Sequence, residues 1–474
     1  MAKKPRTHAA ATLMQDTAEF LAGTRRIANL FWFAIALAAL TAAVAVFGAR
    51  DLFYDGSFYF LGWAAQDRFH FFVPVRETVQ ALQQVFVIVG ERVGIENLSV
   101  LTRLFSLGVS GWPVLLTAAC WPMLPRKEKA WIIGPLLNLV AVIPMTSMFG
   151  IGEGLLASCL LWLTFLIFVF RFQTWWGSLA TVFLTVACGL THEVAFPFLG
   201  GLALLALTRL RQAAGWERFA LMLVALVAAA GSLHLLYWVI FPRDLAERSN
   251  FVASILGGFL GRAPNLPALA SIVAAVSIVL SLIRRSWLGI PRGPLWFACF
   301  VFMVEMGVVL FIPDRVLTPG AYFAARGLPV LFTTLAAFGM VFLRARNVSP
   351  ARFATRPVMS ILFGLVLIQT TIQLVITERW WVLTSDMRAL LAERRGIISF
   401  DESSRELNPS GNRFRQEVLK SWSVEPLSIV LAPEGHVQSV LEAAPHEPWV
   451  PYKFGTPGSL PRAPGLDWSG FSVR

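Results

Sequence analysis

Residues 27–47 read IANLFWFAIALAALTAAVAVF, a stretch without one charged side chain. About twenty apolar residues are what an α-helix needs to cross a hydrocarbon core roughly 30 Å thick. The stretch therefore predicts a membrane-spanning helix. Arg25 and Arg26 precede it, and no small-residue cleavage site follows it, so we expect a retained first span rather than a signal peptide.

The same character extends over the 474 residues, of which 56% are hydrophobic and 14% charged. Soluble domains carry about 25% charged residues. The apolar residues gather into blocks of span length, which predicts an all-α polytopic membrane protein with about eleven transmembrane helices. The short fifth and sixth blocks also fit one broken hairpin around residues 191–193. The predicted spans are 27–47, 101–124, 131–148, 155–170, 179–190, 195–207, 219–241, 266–283, 295–312, 328–343 and 358–376.

The net charge of +12 comes from Lys and Arg in alternate loops. This is the positive-inside pattern, and it predicts a cytoplasmic N-terminus. With an odd number of spans, the C-terminus would lie outside an inner (plasma) membrane, on the periplasmic side. Nothing resembles a nucleic-acid module, so nucleic acid is not an expected partner. The basic clusters lie in residues 1–26, 125–129, 209–218, 284–292 and 344–356.

Three regions follow from this threading. Residues 1–26 are a cytoplasmic segment, residues 27–376 the bundle with a first outer loop at 48–100, and residues 377–474 a small extracytoplasmic C-terminal α+β region. In the first outer loop, apolar residues at helical spacing between 79 and 93 predict an amphipathic helix, lying in the membrane interface or capping the bundle. The C-terminal region is expected to contain a helix at 385–394 and strands at 397–400 and 427–431.

Two acids directly follow the first span, in the stretch DLFYDGSFYFLGWA at residues 51–64. A carboxylate among aromatic side chains at a membrane surface becomes more basic when water is excluded, and it can then act as a general base. The composition also fits an interfacial aromatic belt with ordinary solvated acids. The residues alone leave both interpretations of Asp51 and Asp55 open.

The segment DGSFYFLGWA at residues 55–64 resembles the first-loop signature of the GT-C superfamily of membrane glycosyltransferases, in which an acid, often followed by a second acid, precedes an aromatic pair and a small residue. The threading is also similar to that superfamily. The chain departs from the signature at Gly56, and its other acid is Asp51. The resemblance implies a GT-C-like bundle and inverting transfer of a sugar from a polyprenyl-phosphate donor to a glycan, lipid or protein acceptor at the outer face.

On this resemblance Asp55 is the expected general base. Asp51 would be a second base, orient the acceptor or help bind a divalent cation such as Mg or Mn. Arg315 and Arg326 are the candidates for the donor phosphate; alternatively, the first pairs with Asp314 and the second reaches towards the interface.

Further polar residues are expected near the first outer loop. We predict that they form an acceptor or auxiliary site, although they also suit ordinary polar turns. They are Tyr59 in the motif, Glu153 in the turn before the fourth span, and His192 and Glu193 between the fifth and sixth spans.

Two other functions remain open at this point. A membrane transporter or lipid flippase would explain the ionisable His234 and Glu305 within predicted spans, although no internal repeat supports it. A non-catalytic scaffold would use the region after Thr377 as a partner-binding surface. Mutation of Asp51 and Asp55 distinguishes these two functions from glycosyl transfer, because only glycosyl transfer should require the two acids.

Overall fold

The computed structural model describes residues 6–53, 55–66, 68–146, 152–241, 319–421, 423–444, 466–469 and 471. Within these ranges the chain is mostly helical, with a single two-stranded sheet. The helices are α1 (Arg6–Phe47), α2 (Asp55–Gln66), α3 (Glu77–Arg92), α4 (Leu98–Met123), α5 (Ile133–Thr146), α6 (Glu153–Phe170), α7 (Trp175–Cys188), α8 (Phe196–Leu210), α9 (Gly215–Ile240), α10 (Pro319–Ala345), α11 (Arg356–Glu393), α12 (Phe400–Leu407), α13 (Arg413–Lys420) and α14 (Val424–Val430).

Six helices in the described part are long and apolar enough to cross a membrane. Every predicted span within the described ranges coincides with a helix, which confirms the mostly helical fold, and the six candidate spans support a membrane protein. The predicted spans 266–283 and 295–312 lie outside the described residues, so the count of eleven stays a prediction. The six candidate spans are Ala18–Phe47, Leu98–Met123, Glu153–Phe170, Glu193–Leu210, Gly215–Ile240 and Val358–Glu393.

Helix α6 lies at the centre of the bundle. It is apolar on all sides, and Trp162, Phe165 and Phe168 are fully buried. A helix without a polar face needs protein or lipid on every side, and here α4, α7 and α10 pack against it. The surrounding helices direct large apolar side chains outwards instead, such as Leu226 and Leu233 of α9. These exposed side chains suit contact with lipid.

The first outer loop folds back onto the bundle as α2, a 3-10 turn at Pro74–Arg76, and α3. The predicted helix at 79–93 is present, but its faces are mixed. Gln80, Gln83 and Gln84 are at most 1% exposed, whereas Val89 is 54% and Val93 72% exposed. The side of α3 that carries the glutamines therefore faces the protein interior. The bundle offers buried hydrogen-bonding partners, and these draw the amides inwards.

Helix α11 runs without a break from Arg356 to Glu393. The predicted span 358–376 and the predicted helix 385–394 are thus one helix, and position 377 falls inside it. Strand β1 (Gly396–Ile398) pairs in parallel with β2 (Ser439–Leu441). The strand predicted at 427–431 was wrong, because α14 occupies this stretch. A short apolar run has no periodicity that separates strand from helix.

The first outer loop and the C-terminal region share one hydrophobic core. Phe60 and Trp63 of α2 are buried in the same cluster as Trp380 of α11, Leu427 of α14 and Val440 of β2. The indole nitrogen of Trp380 also donates a 3.1 Å hydrogen bond to the carbonyl of Gly48. Both regions therefore cover the end of the bundle at which α1 ends, which we call the first-loop end.

Candidate functional site

The turn that follows α1 places two charged side chains inside the protein. Ala49 has a φ of 47°, in the left-handed region that favours glycine, and this turns the chain back towards the bundle. Such a conformation costs about 1–2 kcal/mol for an L-residue. Arg50 and Asp51 come next and are only 6% and 4% exposed. The strained turn thus carries a buried arginine and a buried aspartate.

Each of these side chains is bound to a different helix. Arg50 Nη1 donates to Gln373 Oε1 at 2.8 Å and to Thr377 Oγ1 at 2.9 Å, both on α11. Asp51 Oδ2 accepts a 2.8 Å hydrogen bond from Ser110 Oγ of α4. The turn is therefore fixed between α4 and α11.

Burial makes Asp51 a better proton acceptor than a solvated aspartate. Burial raises the pKa of its carboxyl group, and the charge of Arg50 and the Ser110 hydrogen bond oppose this rise. Burial also lowers the pKa of the Arg50 guanidinium, against the effect of Asp51. Adjacent opposite charges away from water interact more strongly than the same charges in solvent. Asp51 thus has the raised basicity that general-base chemistry needs.

Arg50 and Asp51 line a cleft between α1, α4 and α11, which we call the Asp51 cleft. Its other polar members are Thr41, Ser110, Gln369, Thr370 and Gln373. Its walls are apolar, and its volume of about 60 Å³ holds a few water molecules. A larger ligand requires separation of the surrounding helices. The apolar wall residues are Ala34, Ala38, Ala42, Val109, Pro113, Val114, Leu139, Leu155 and Val366.

Gln369 of α11 stands out in this cleft. It is 7% exposed, and neither its Oε1 nor its Nε2 has a hydrogen-bond partner among the described residues. Most buried polar groups in proteins have a partner, and leaving one unpaired costs about 1–3 kcal/mol. A buried amide turned into a cleft is therefore suited to bind the polar part of a ligand.

A second polar group, the Arg76 cluster, joins the first outer loop to the bundle. Arg76 holds Glu193 through two hydrogen bonds, of 3.0 Å from Nε and 2.5 Å from Nη2. Its Nη1 also donates to Glu153 Oε2 at 2.6 Å. Glu153 Oε1 accepts from Gln80 Nε2 at 3.0 Å and from the Tyr59 hydroxyl at 3.4 Å. The cluster thus connects α2, α3, α6 and the turn before α8.

The charges of this cluster are strongly coupled. Burial disfavours the charge of Arg76, but Glu193 and Glu153 outweigh burial and hold the pKa of the guanidinium above its usual range. His192 lies beside the pair, with Nδ1 3.6 Å from Glu193 Oε2. The same Nδ1 accepts a 3.3 Å hydrogen bond from the backbone N–H of Val194, which suits a neutral imidazole. Arg76 therefore pairs with two carboxylates, one buried (Glu153) and one partly buried (Glu193).

The structure brings together the four residues proposed for an acceptor or auxiliary site. Tyr59, Glu153 and Glu193 are members of the Arg76 cluster, and His192 adjoins it. Sequence reasoning missed Arg76 and Gln80, which link them. Two features of the sequence pointed to them. Arg76 follows the apolar residues 71–75, in a loop predicted to lie on the same side as the turns that contain Glu153 and Glu193. The glutamines at positions 80, 83 and 84 share a helical face.

Asp55 begins α2, one turn after Asp51. Gly56 packs directly on that turn, because a Cβ atom at position 56 would lie 1.7 Å from the carbonyl oxygen of Asp51. The backbone thus leaves no room for the second acid that the superfamily often has at this point. The side chain of Asp55 and all of Arg315 lie outside the described residues. Arg326 belongs to α10, but its side chain is also outside them.

Among the residues that the structure describes, no three His, Cys, Asp or Glu side chains are grouped to hold a metal ion. The carboxylates of Asp51, Glu153 and Glu193 are instead matched with hydrogen-bond donors or with Arg76. The cysteines at 120, 159 and 188 are buried free thiols, as expected for small core residues, and Cys299 lies outside the described ranges. His234 is on α9, whereas Glu305 is outside these ranges too.

The fold places the chain in the class of polytopic helical membrane proteins. Searches for similar proteins found no matching family model, no similar curated protein and no similar solved structure. The features of the molecule that bear on its function are therefore the Asp51 cleft, the Arg76 cluster and the motif at residues 55–64.

Proposed function

We propose that this protein is a membrane glycosyltransferase of the GT-C type, which moves a sugar from a polyprenyl-phosphate donor to an acceptor at the first-loop end. One observation carries the proposal: Asp51, a buried carboxylate with a raised pKa, lines a cleft between helices whose walls are otherwise mostly apolar. A lipid-linked substrate needs this combination, since its chain is apolar and its reacting group is polar. The motif resemblance adds the reaction class.

In the proposed reaction, an acceptor hydroxyl oxygen attacks the anomeric carbon of the donor sugar. The bond from that carbon to the phosphate oxygen breaks, and the polyprenyl phosphate leaves with the electron pair. Asp55 takes the hydroxyl proton, and attack from the opposite face inverts the anomeric centre. A positioned carboxylate base accelerates such a step by about 10²–10⁴. Asp51 is the second carboxylate of this site.

The leaving phosphate needs a cation nearby. Arg50 is the candidate that the structure adds to Arg315 and Arg326, because it is charged, buried and part of the cleft. Its Nε has no hydrogen-bond partner among the described residues. A guanidinium can bind phosphate oxygens through several N–H donors. In this proposal Arg50 binds the phosphate once the surrounding helices separate.

The Arg76 cluster is proposed to position the first outer loop. Its carboxylate oxygens accept hydrogen bonds from Arg76, Gln80 and Tyr59. These bonds favour a structural task over acceptor binding. Helix α2 begins with Asp55 and contains Tyr59, which belongs to the cluster. The cluster would therefore fix the position of Asp55, the proposed base, relative to the bundle.

The test is a transfer assay on the full chain in lipid nanodiscs, with a panel of polyprenyl-phosphate hexoses and pentoses and release of polyprenyl phosphate as the readout. Asp55→Asn and Asp51→Asn should each lower the rate about 100-fold or more. Glu96→Gln is the matched control, because Glu96 is an exposed acid of the same loop, and it should retain full activity. Unchanged turnover in both aspartate variants would refute the assignment.

Lipid or solute transport is the second candidate, and Gln369 is the observation that favours it. A buried, unpaired amide in a candidate span marks a polar path through the membrane in many transporters. Vesicles loaded with labelled polyprenyl-phosphate sugar separate the two functions. Movement of the intact lipid across the bilayer, unaffected by Asp51→Asn but lost in Gln369→Leu, would favour transport.

A further inference from the structure

A second cavity opens between α6, α8 and α10 at the end of the bundle opposite the first-loop end. It encloses about 330 Å³, and we call it the Arg209 groove. Its polar lining is formed by Thr208, Arg209 and Arg344, and the other lining residues are apolar. These are Trp131, Phe165, Val169, Phe170, Leu205, Met340, Val341 and Ala345.

Two guanidinium groups share this groove. Arg209 stacks over the ring of Phe168 at 4.6 Å and donates a 2.8 Å hydrogen bond from Nη1 to the carbonyl of the same residue. Arg344 stacks over Phe170, also at 4.6 Å. The two positive charges repel each other. Aromatic rings thus fix both cations side by side, against their mutual repulsion.

The negative charge nearby does not balance these two cations. Arg344 Nη2 lies 3.6 Å from Glu128 Oε1, and both side chains are more than 30% exposed, so this pair is worth little. Glu217 attracts Arg209, although it forms no ion pair with it within 4 Å among the described residues. Lys129 and Arg171 add further positive charge at this end of the bundle. The field in the groove therefore favours an anion.

The apolar wall determines the kind of anion. Leu205 lies in the candidate span Glu193–Leu210, and Val341 lies in the shorter apolar helix Val330–Ala345 within α10, so the groove continues from charged residues at the helix ends to apolar residues deeper in the bundle. Phosphate fits the arginines and an acyl chain fits the wall. Basic pockets between membrane helices commonly bind the headgroups of anionic lipids in this way. A free phosphate would leave the apolar wall without a contact.

We propose that the Arg209 groove binds an anionic phospholipid, with the headgroup phosphate between Arg209 and Arg344 and an acyl chain along Leu205 and Val341. The site is independent of the transfer reaction. It lies at the opposite end of the bundle and shares no lining residue with the Asp51 cleft. A lipid bound here would link α6, α8 and α10 and resist their separation.

The test measures lipid binding by the purified full chain, with native mass spectrometry and thermal melting in neutral detergent. The probes are phosphatidylglycerol, phosphatidylcholine of the same chain length, and inorganic phosphate. Wild-type protein should bind phosphatidylglycerol about tenfold more tightly than phosphatidylcholine, with a matching rise in melting temperature. The double variant Arg209→Gln/Arg344→Gln should lose this preference.

Arg211→Gln is the matched control, because Arg211 is an exposed arginine two residues from Arg209 and does not line the groove. It should keep the preference within about twofold. If the double variant unfolds, Arg344→Glu alone serves, since Arg344 is 43% exposed, and it should weaken binding. Equal lipid retention in wild type and variants would overturn the proposal. So would inorganic phosphate that protects as well as phosphatidylglycerol, because the site would then bind a soluble anion.

Discussion

At the scale of single residues, the first-loop end depends on close backbone contact and on matched buried charge. Gly56 allows α2 to begin directly on the Asp51 turn. Arg76 pairs with two carboxylates, those of the buried Glu153 and the partly buried Glu193. The Gly56 contact and the Arg76 ion pairs fix the positions of other residues and take no direct part in the proposed reaction. Substitutions at these residues should therefore change stability and, through it, the placement of Asp51 and Asp55.

Gly56→Ala should destabilise the protein by about 1–3 kcal/mol, because the added methyl group meets the Asp51 carbonyl and the turn has to shift. Gly364→Ala in α11 is the matched control. Its new Cβ meets nothing within 4 Å, and alanine favours a helix over glycine by about 1 kcal/mol. Thermal melting in detergent should show the two variants moving in opposite directions. A Gly56→Ala protein as stable as wild type would contradict the close contact.

Arg76→Met should cost about 3–5 kcal/mol, since it leaves the buried Glu153 and the partly buried Glu193 without their cation. Removing one carboxylate as well should restore part of this loss, so Arg76→Met/Glu193→Gln should melt above the single variant. Thermal melting of wild type, Arg76→Met, Glu193→Gln and the double variant in one detergent forms the cycle. If the second substitution brings no recovery, the two residues are not coupled.

At the scale of elements, α3 shows that the periodicity of apolar residues predicts a helix but does not predict which side of the helix is buried. Apolar spacing correctly predicts a helix at residues 77–92, because helix formation depends on local sequence. It does not predict which side is buried, because that depends on partners distant in sequence. Gln80 faces Glu153 of α6, and Gln84 holds the backbone of His70. The same reason explains the wrong strand at 427–431, where packing against α2 decides the structure.

Gln80→Leu should destabilise the protein by about 2–4 kcal/mol, although it places an apolar residue on an amphipathic helix. Gln80 donates hydrogen bonds to Tyr59 and Glu153 and accepts one from the backbone N–H of Phe72. Each buried partner left without its hydrogen bond lowers the free energy of unfolding by about 1–3 kcal/mol. Val89→Leu, on the exposed face of α3, is the control and should change stability by less than about 0.5 kcal/mol. Thermal melting distinguishes them, and equal melting temperatures would argue that the glutamine face is not buried.

At the scale of the whole molecule, the sequence predicts the spans well and the site in part. Span length and charge pattern are local properties, so each predicted span in the described ranges is a helix. Asp51 and the predicted auxiliary residues Tyr59, Glu153, His192 and Glu193 were chosen from segments expected on one side. Arg50 was not, because its partners Gln373 and Thr377 are more than 300 residues away in sequence. Long-range pairing of this kind leaves no local signal.

The contact between the C-terminal region and the first outer loop contains a buried acid, Glu425 of α14. It is 2% exposed, and its Oε1 has no hydrogen-bond partner among the described residues. Burial, and then the charge of Glu442, raise the pKa of Glu425 from an ordinary value of 4.5 to about 8. Because α14 packs against α2, ionisation of this carboxyl bears on how the two regions hold together.

Glu425 should therefore make the protein less stable as pH rises. Between pH 4.5 and about 8 the unfolded chain releases this proton while the folded protein retains it, so the free energy of unfolding falls over that interval and is level above it. Glu425→Gln removes the effect and should melt above wild type at pH 9 by an amount equivalent to about 5 kcal/mol, since each pKa unit corresponds to about 1.4 kcal/mol, with only a small difference left near pH 4.5. Glu434→Gln, an exposed acid next to the same helix, should follow the wild-type pH profile. Parallel melting curves for wild type and Glu425→Gln across this pH range would show that the carboxyl is not protonated in the folded protein.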